Sequence, residues 1–286
     1  MTGAAPDRSA RPRLEQTTLH VSDITAAADF YIQGFGMAVL DRQKHDGAAS
    51  VVLGFDGEDA GGPIELVSRR NESESARHGT GYGHIAIGVE DVAATFDRLE
   101  AMGSEVILPP GIVTPGGPCC AFVKDRDGYA VELVEIRDAQ SKPTGFDPRN
   151  VILGPADGRR RILHTMLRIS DVDRAIRFYE NGLGMRLLER VDIAVKGGVT
   201  GLFVGFGGEA GRMVELSCYR AQTEPYTHGT GFGHIAIAVP DVAAASARLV
   251  ALGFECVVRT EPDTHAMVKD PDGYAFRLIP SSPDTI

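Results

Sequence analysis

Two near-identical stretches each place a histidine where a Gly-rich turn runs into an apolar strand. They are His78-Gly-Thr-Gly-Tyr-Gly-His-Ile-Ala-Ile-Gly-Val89 and, 150 positions later, His228-Gly-Thr-Gly-Phe-Gly-His-Ile-Ala-Ile-Ala-Val239. Carboxylates recur at the same offset: Glu65 lies within Gly62–Val67 and Glu215 within Val214–Cys218. Glu132 stands between Val131 and Leu133, and His164 alternates with Met166 and Arg168 where the first half has Gln16, Thr18 and His20. A carboxylate among apolar strand neighbours is costly unless it is paired or bound to a cation. Two carboxylates and two imidazoles together suit a divalent transition metal with open water positions. Such a site can act as a Lewis acid, with a carboxylate beside it as base.

The elements that must position these groups read as strands and capped helices. Side chains alternate along a strand, so Ile85, Ile87 and Val89 share the face expected to pack on helices, and His84, Ala86 and Gly88 share a small-residue face that leaves room. In the same way Leu163, Leu167 and Ile169 are expected opposite His164. Asp23, Asp91, Asp171 and Asp241 offer N-caps ahead of helical apolar spacing, and Gly34/Gly36, Gly103, Gly182/Gly184 and Gly253 offer stops. Hairpins are expected around Asp125-Arg-Asp-Gly128 and Asp270-Pro-Asp-Gly273. Each quarter reads β-α-β-β-β, and the third and fourth repeat the first and second. The fold class is therefore α+β: four βαβββ modules in two homologous halves. Residues 14–137 and 161–280 are read as domains, 138–160 as a Pro- and Gly-bearing linker, 1–13 as a disordered tail and 281–286 as a second tail.

A net charge of −10 argues against a general grip on nucleic acid. No apolar run is long enough to span a bilayer. Cys119, Cys120, Cys218 and Cys256 contain no CxxC pair and read as small buried hydrophobes of a protein in a reducing cytoplasm.

In order, Leu163-His-Thr-Met-Leu-Arg168, Phe178-Tyr179, Gly182-Leu-Gly-Met185, Val214-Glu-Leu216, Gly231-Phe-Gly-His-Ile-Ala236 and Lys269-Asp-Pro-Asp-Gly-Tyr274 form a series that resembles glyoxalase I (lactoylglutathione lyase) of the vicinal-oxygen-chelate superfamily. The resemblance covers about residues 14–137 and 160–280. It implies mixed sheets curled into metal-binding cups with the helices outside. It implies ligand positions Gln16, Glu65, His84 and Glu132 in the first half, and His164, Glu215 and His234 in the second, where Arg277 stands in the place of a fourth ligand. If modules pair across the halves, His84, Glu132, His164 and Glu215 form one complete site, and Gln16, Glu65, His234 and Arg277 form a degenerate second site expected to bind no metal. Pairing within the halves would instead join Gln16, Glu65, His84 and Glu132.

The resemblance further implies a lyase or isomerase acting through an enediolate on the hemithioacetal of a 2-oxoaldehyde and a thiol, with Glu132 and Glu215 as base and acid. It implies one divalent transition metal, nickel or cobalt ahead of zinc or iron. Arg168 matches a substrate-binding arginine, and the long loop Pro109–Pro118 matches one that borders the substrate. Tyr219 and Arg69 stand where glyoxalase I carries a glutathione-anchoring Asn, and Thr114-Pro115 where it carries a loop lysine. The partner expected is a small molecule, with a thiol adduct among the candidates, bound by a monomer or homodimer, with no nucleic acid or membrane. Two other readings stay open: another metalloenzyme of the superfamily, such as an extradiol dioxygenase or epimerase, and a non-catalytic binding protein of the bleomycin-resistance type.

Overall fold

The computed structural model describes residues 11–45, 48–57, 61–68, 77–113, 117–136, 159–193, 197–207, 212–259 and 264–281. The first module comprises β1 (Arg13–Val21), α1 (Ile24–Phe35), β2 (Ala38–His45), β3 (Ala48–Gly54) and β4 (Ile64–Ser68). The second comprises β5 (Tyr82–Val89), α2 (Val92–Ala101), β6 (Val106–Ile112), β7 (Cys119–Lys124) and β8 (Ala130–Glu135). The third comprises β9 (Arg161–Ile169), α3 (Val172–Ile176), β10 (Arg186–Ile193), β11 (Val199–Gly205) and β12 (Met213–Tyr219). The fourth comprises β13 (Phe232–Val239), α4 (Val242–Ala251), β14 (Cys256–Arg259), β15 (His265–Lys269) and β16 (Ala275–Pro280). Among the described residues no helix is long and apolar enough to cross a membrane.

The helices begin where capping chemistry puts them. The Asp23 carboxylate accepts from the backbone N–H of Thr25 and Ala26, and Gly36, at φ 75°, ends α1 in the left-handed region. Asp91, Asp171 and Asp241 cap α2, α3 and α4 in the same way.

Two eight-stranded mixed sheets result, and each takes one module from each half. One runs β14-β15-β16-β13-β1-β4-β3-β2, the other β10-β11-β12-β9-β5-β8-β7-β6. Within every module the first strand lies parallel to the fourth. The modules join through the antiparallel pairs β1–β13 and β5–β9. The cores follow the chain instead. Side chains of α1 and α2 pack with strands of the first half from both sheets, and α3 and α4 do the same in the second half. The halves are thus knitted by hydrogen bonds, and each is filled chiefly by its own apolar side chains, with Ile162 entering the first core and Leu14 the second. Each core is also pinned by a buried Tyr–Asp pair. The Tyr31 hydroxyl donates to Asp125 at 2.9 Å and the Tyr179 hydroxyl to Asp270 at 2.8 Å, tying α1 and the π-helical turn that follows α3 to the hairpin turns. Burial pushes Asp125 up to about 6 and Asp270 up to about 7, against the hydrogen bonds that favour their charge.

Several sequence expectations are corrected. Arg13 is not tail: it opens β1 and pairs with Ala238. Pro109–Ile112, expected in a loop, continues β6, where an edge position and an irregular register accommodate two prolines. The expected single helix after Asp171 is α3 followed by a π-helical turn, Arg177–Gly182, closed by the Leu183 N–H donating to the Phe178 carbonyl. Of the four cysteines only Cys120 is buried; the others are partly exposed, and all four are free thiols. The linker 138–160 lies outside the described residues up to 158, as do Arg69, Thr114-Pro115 and most of both tails.

Candidate metal centre

Four strands at the middle of one sheet bring the expected side chains together. The order β12-β9-β5-β8 sets Glu215, His164, His84 and Glu132 side by side, two from each half. Ala86 pairs with both His164 and Glu132, so the centre of the row carries only a methyl group. His84 Nε2 lies 3.0 Å from Glu132 Oε2, His164 Nε2 lies 3.0 Å from Glu215 Oε2, and the two Nε2 atoms are 3.3 Å apart. The crossing distances are 3.6 Å from His164 to Glu132 and 3.8 Å from His84 to Glu215. Ligands about 2.1 Å from an octahedral ion lie about 3.0 Å apart in cis positions. Among the described residues, the ligand atoms of His84, Glu132 and His164 all lie within 4.8 Å of one another, and Glu215 reaches the same two imidazoles. The donor chemistry and spacing fit a divalent cation.

The electrostatics also call for positive charge. Burial disfavours a charged His164, yet its hydrogen bonds to Glu132 and Glu215 push it up to about 9. Burial acts against ionised Glu132 and Glu215 as well, and the imidazoles nevertheless hold both carboxyls below the usual range.

The second set of residues meets on the other sheet, with a different pattern. The Gln16 amide and the Thr18 hydroxyl both donate to Glu65 Oε2, at 2.9 and 2.8 Å. Ala236 pairs with Gln16 and with Arg277, and Thr18 pairs with His234. A guanidinium has no lone pair to offer and repels a cation. Arg168 lies at the end of β9, where its Nη1 donates to the carbonyls of Tyr82 at 2.7 Å and Thr80 at 3.2 Å and its guanidinium sits 5.8 Å over the Tyr219 ring.

Two features of the site escape a strand-alternation reading, and a third is one that such a reading can find. The β5–β9 register skips Leu163, a bulge that turns this side chain away from the helical core to pack with Ala86, Cys120 and Val134. Part of the room expected beside His84 is thereby filled. Next, Phe122 and Phe203 stand edge-on against His84 and His164, each ring pair 5.3 Å apart. They sit opposite Glu132 and Glu215 in the neighbouring strands, a pairing visible only once register is known. Finally, the Ser217 hydroxyl donates to Glu215 Oε1 at 2.8 Å. Ser217 is two positions past Glu215 on the same strand face, a signal the sequence does carry. Cys120, read as a plain hydrophobe, also borders the site, and burial together with the Glu132 charge keeps its thiol neutral by raising its pKa far above the ordinary range.

Groups that orient a ligating carboxylate tune the metal. Ser217→Ala should weaken divalent-metal binding about 10-fold, measured by competition with a fluorescent chelator, with the melting temperature nearly unchanged. Unaltered metal affinity in this variant would make Ser217 a bystander.

The profile of the Glyoxalase/Bleomycin resistance protein/Dioxygenase superfamily matches residues 13–133 and 161–278. Lactoylglutathione lyase GLX1 of Arabidopsis thaliana is 33% identical over 232 residues, spanning 80% of this chain and 75% of that protein. The lactoylglutathione lyase of Oryza sativa subsp. japonica is 28% identical over 281 residues, spanning 94% of this chain and 89% of that protein. The crystal structure of glyoxalase I from Zea mays superposes with a TM-score of 0.78 at 27% identity, covering 95% of this chain and 93% of that one.

Proposed function

Since the chain belongs to the Glyoxalase/Bleomycin resistance protein/Dioxygenase superfamily and is a lactoylglutathione lyase-like enzyme with two tandem glyoxalase domains, we propose that it isomerises the hemithioacetal of a 2-oxoaldehyde and a thiol to the 2-hydroxyacyl thioester. The convergence of His84, Glu132, His164 and Glu215, with every imidazole–carboxylate distance between 3.0 and 3.8 Å, carries this reading. These four residues would hold one divalent ion, nickel or cobalt in preference to zinc or iron. When bound, the ion supplies Lewis-acid polarisation of the two neighbouring substrate oxygens.

The rest of the chemistry belongs to the chain. Glu132 and Glu215 flank the imidazole pair from opposite sides, each on its own histidine. One carboxylate removes the proton from the thiol-bearing carbon, and a proton returns to the adjacent carbon, so the isomerisation balances without a redox partner. Phe122 and Phe203 shield the flanks of the histidines from water. Arg168 is assigned to a carboxylate of the thiol, steadied by the turn carbonyls that hold its Nη1. The proposed domains are 14–137, with Arg13 added where it opens β1, and 161–280, with 138–160 joining them.

Protein loaded with nickel or cobalt and supplied with the methylglyoxal–glutathione hemithioacetal should form the thioester, followed by its ultraviolet absorbance, and chelation should abolish the activity. Failure of every metal-loaded form to produce thioester, or equal turnover after chelation, overturns the proposal.

A further inference from the structure

The second cluster is more than a lost metal site. Among the described residues, Arg277 Nε and His234 Nε2 are buried with no hydrogen-bond partner, and they lie in the same row. An unpaired buried guanidinium N–H is expensive and calls for an acceptor. Glu65 does not supply it: its Oε2 accepts from Gln16 and Thr18, and Arg277 Nε has no hydrogen-bond partner. The arrangement parallels the first site with one exchange of charge. Ala236 stands in the row where Ala86 stands in the first site, and Arg277 occupies the place of Glu132. Met267 stands opposite Arg277 where Phe122 stands opposite Glu132. Gln16, Glu65, His234 and Arg277 are all partly open to solvent.

We propose that this cluster binds a small carboxylate bearing a hydroxyl or ammonium on the adjacent carbon. Arg277 donates to the carboxylate, and the neighbouring donor faces the remaining oxygen of Glu65, with His234 Nε2 beside both. A simple anion would meet the Glu65 charge with nothing to offer it. A cation would meet Arg277. A ligand with both an acceptor and a donor end satisfies the two poles at once. This site is separate from the metal centre and does not depend on the reaction assigned there.

Lactate, alanine and acetate can be titrated into the full-length protein by calorimetry, using wild type, Arg277→Gln, His234→Gln and Glu132→Ala. Lactate or alanine should bind wild type and Glu132→Ala with affinities within about twofold of each other. Acetate should bind at least about tenfold more weakly. Arg277→Gln should reduce affinity at least tenfold while circular dichroism and melting temperature show a folded chain, and His234→Gln should give a smaller loss. Saturable binding that disappears in Glu132→Ala but persists in Arg277→Gln would place the ligand at the metal centre and overturn the proposal. So would the absence of saturable binding of either donor-bearing ligand to wild type, or acetate binding as tightly as lactate.

Discussion

Glu132→Ala should lose both the bound divalent ion and at least about a thousandfold of the lyase turnover, while Glu65→Ala should keep both. The two residues look interchangeable in sequence, since each is a carboxylate flanked by apolar residues near the end of a module. Their surroundings differ. Glu132 Oε2 is 3.0 Å from His84 Nε2 and 3.6 Å from His164 Nε2. In the proposed mechanism its removal deletes a ligand and one proton carrier together, so the loss should fall in the upper part of the range for a general acid or base alone, about 10²–10⁴-fold. Glu65 is occupied by Gln16 and Thr18 on the other sheet. Elemental analysis of the purified proteins decides the matter: about one metal per chain in wild type and Glu65→Ala, near none in Glu132→Ala. Metal lost from Glu65→Ala yet kept by Glu215→Ala would place the centre on the wrong sheet.

The largest effect on stability should come from a single methyl group far from any ligand. In the twin Gly-rich turns, a Cβ on Gly79 would fall well inside contact distance of the Thr227 carbonyl oxygen, and one on Gly229 would do the same to the Arg77 carbonyl. The turns lie backbone against backbone. Gly81 N–H donates to Thr227 and Thr230 N–H to Arg77, and Thr80 and Thr227 exchange further bonds through their hydroxyls. Neither wall is a flexible side chain, so Gly79→Ala must push the halves apart there. A cost of about 3 kcal/mol or more, a fall of roughly 6–12 °C in melting temperature, is expected. Gly111→Ala, with only the Pro109 carbonyl at 3.9 Å and no left-handed backbone, should leave the melting curve unchanged within error. A Gly79→Ala protein that melts with wild type would mean that the turns separate at no cost.

These turns show what the sequence makes legible and what it hides. Repetition, caps and alternating faces are local, so the four modules and the candidate side chains Glu132, His164, Glu215 and His84 can be read one strand at a time. Which modules share a sheet is not local. It is decided by β1 finding β13 and β5 finding β9, pairings between strands far apart in the chain, and the repeat alone is compatible with either choice. Bulges break alternation for the same reason. Leu163 joins Ala86 and Cys120 because one residue is left over when β9 is laid against β5, and no periodicity within β9 announces it. The glycines of the turns are plain in the sequence but their purpose is not, since each is required by its counterpart in the other half.

The exchange of modules also sets what a severed chain would face. A lone half would keep its helices and its apolar core but leave one side of β1 and one side of β5 without neighbours. Two bare central edges on one small unit are templates for strand addition. Such a fragment would recruit another copy of itself or its complement before it could rest, and only the complement restores a row containing His84, Glu132, His164 and Glu215. Covalent continuity between the halves therefore acts as a guard on pairing: it keeps the correct edge always at hand and self-association of identical halves out of the competition.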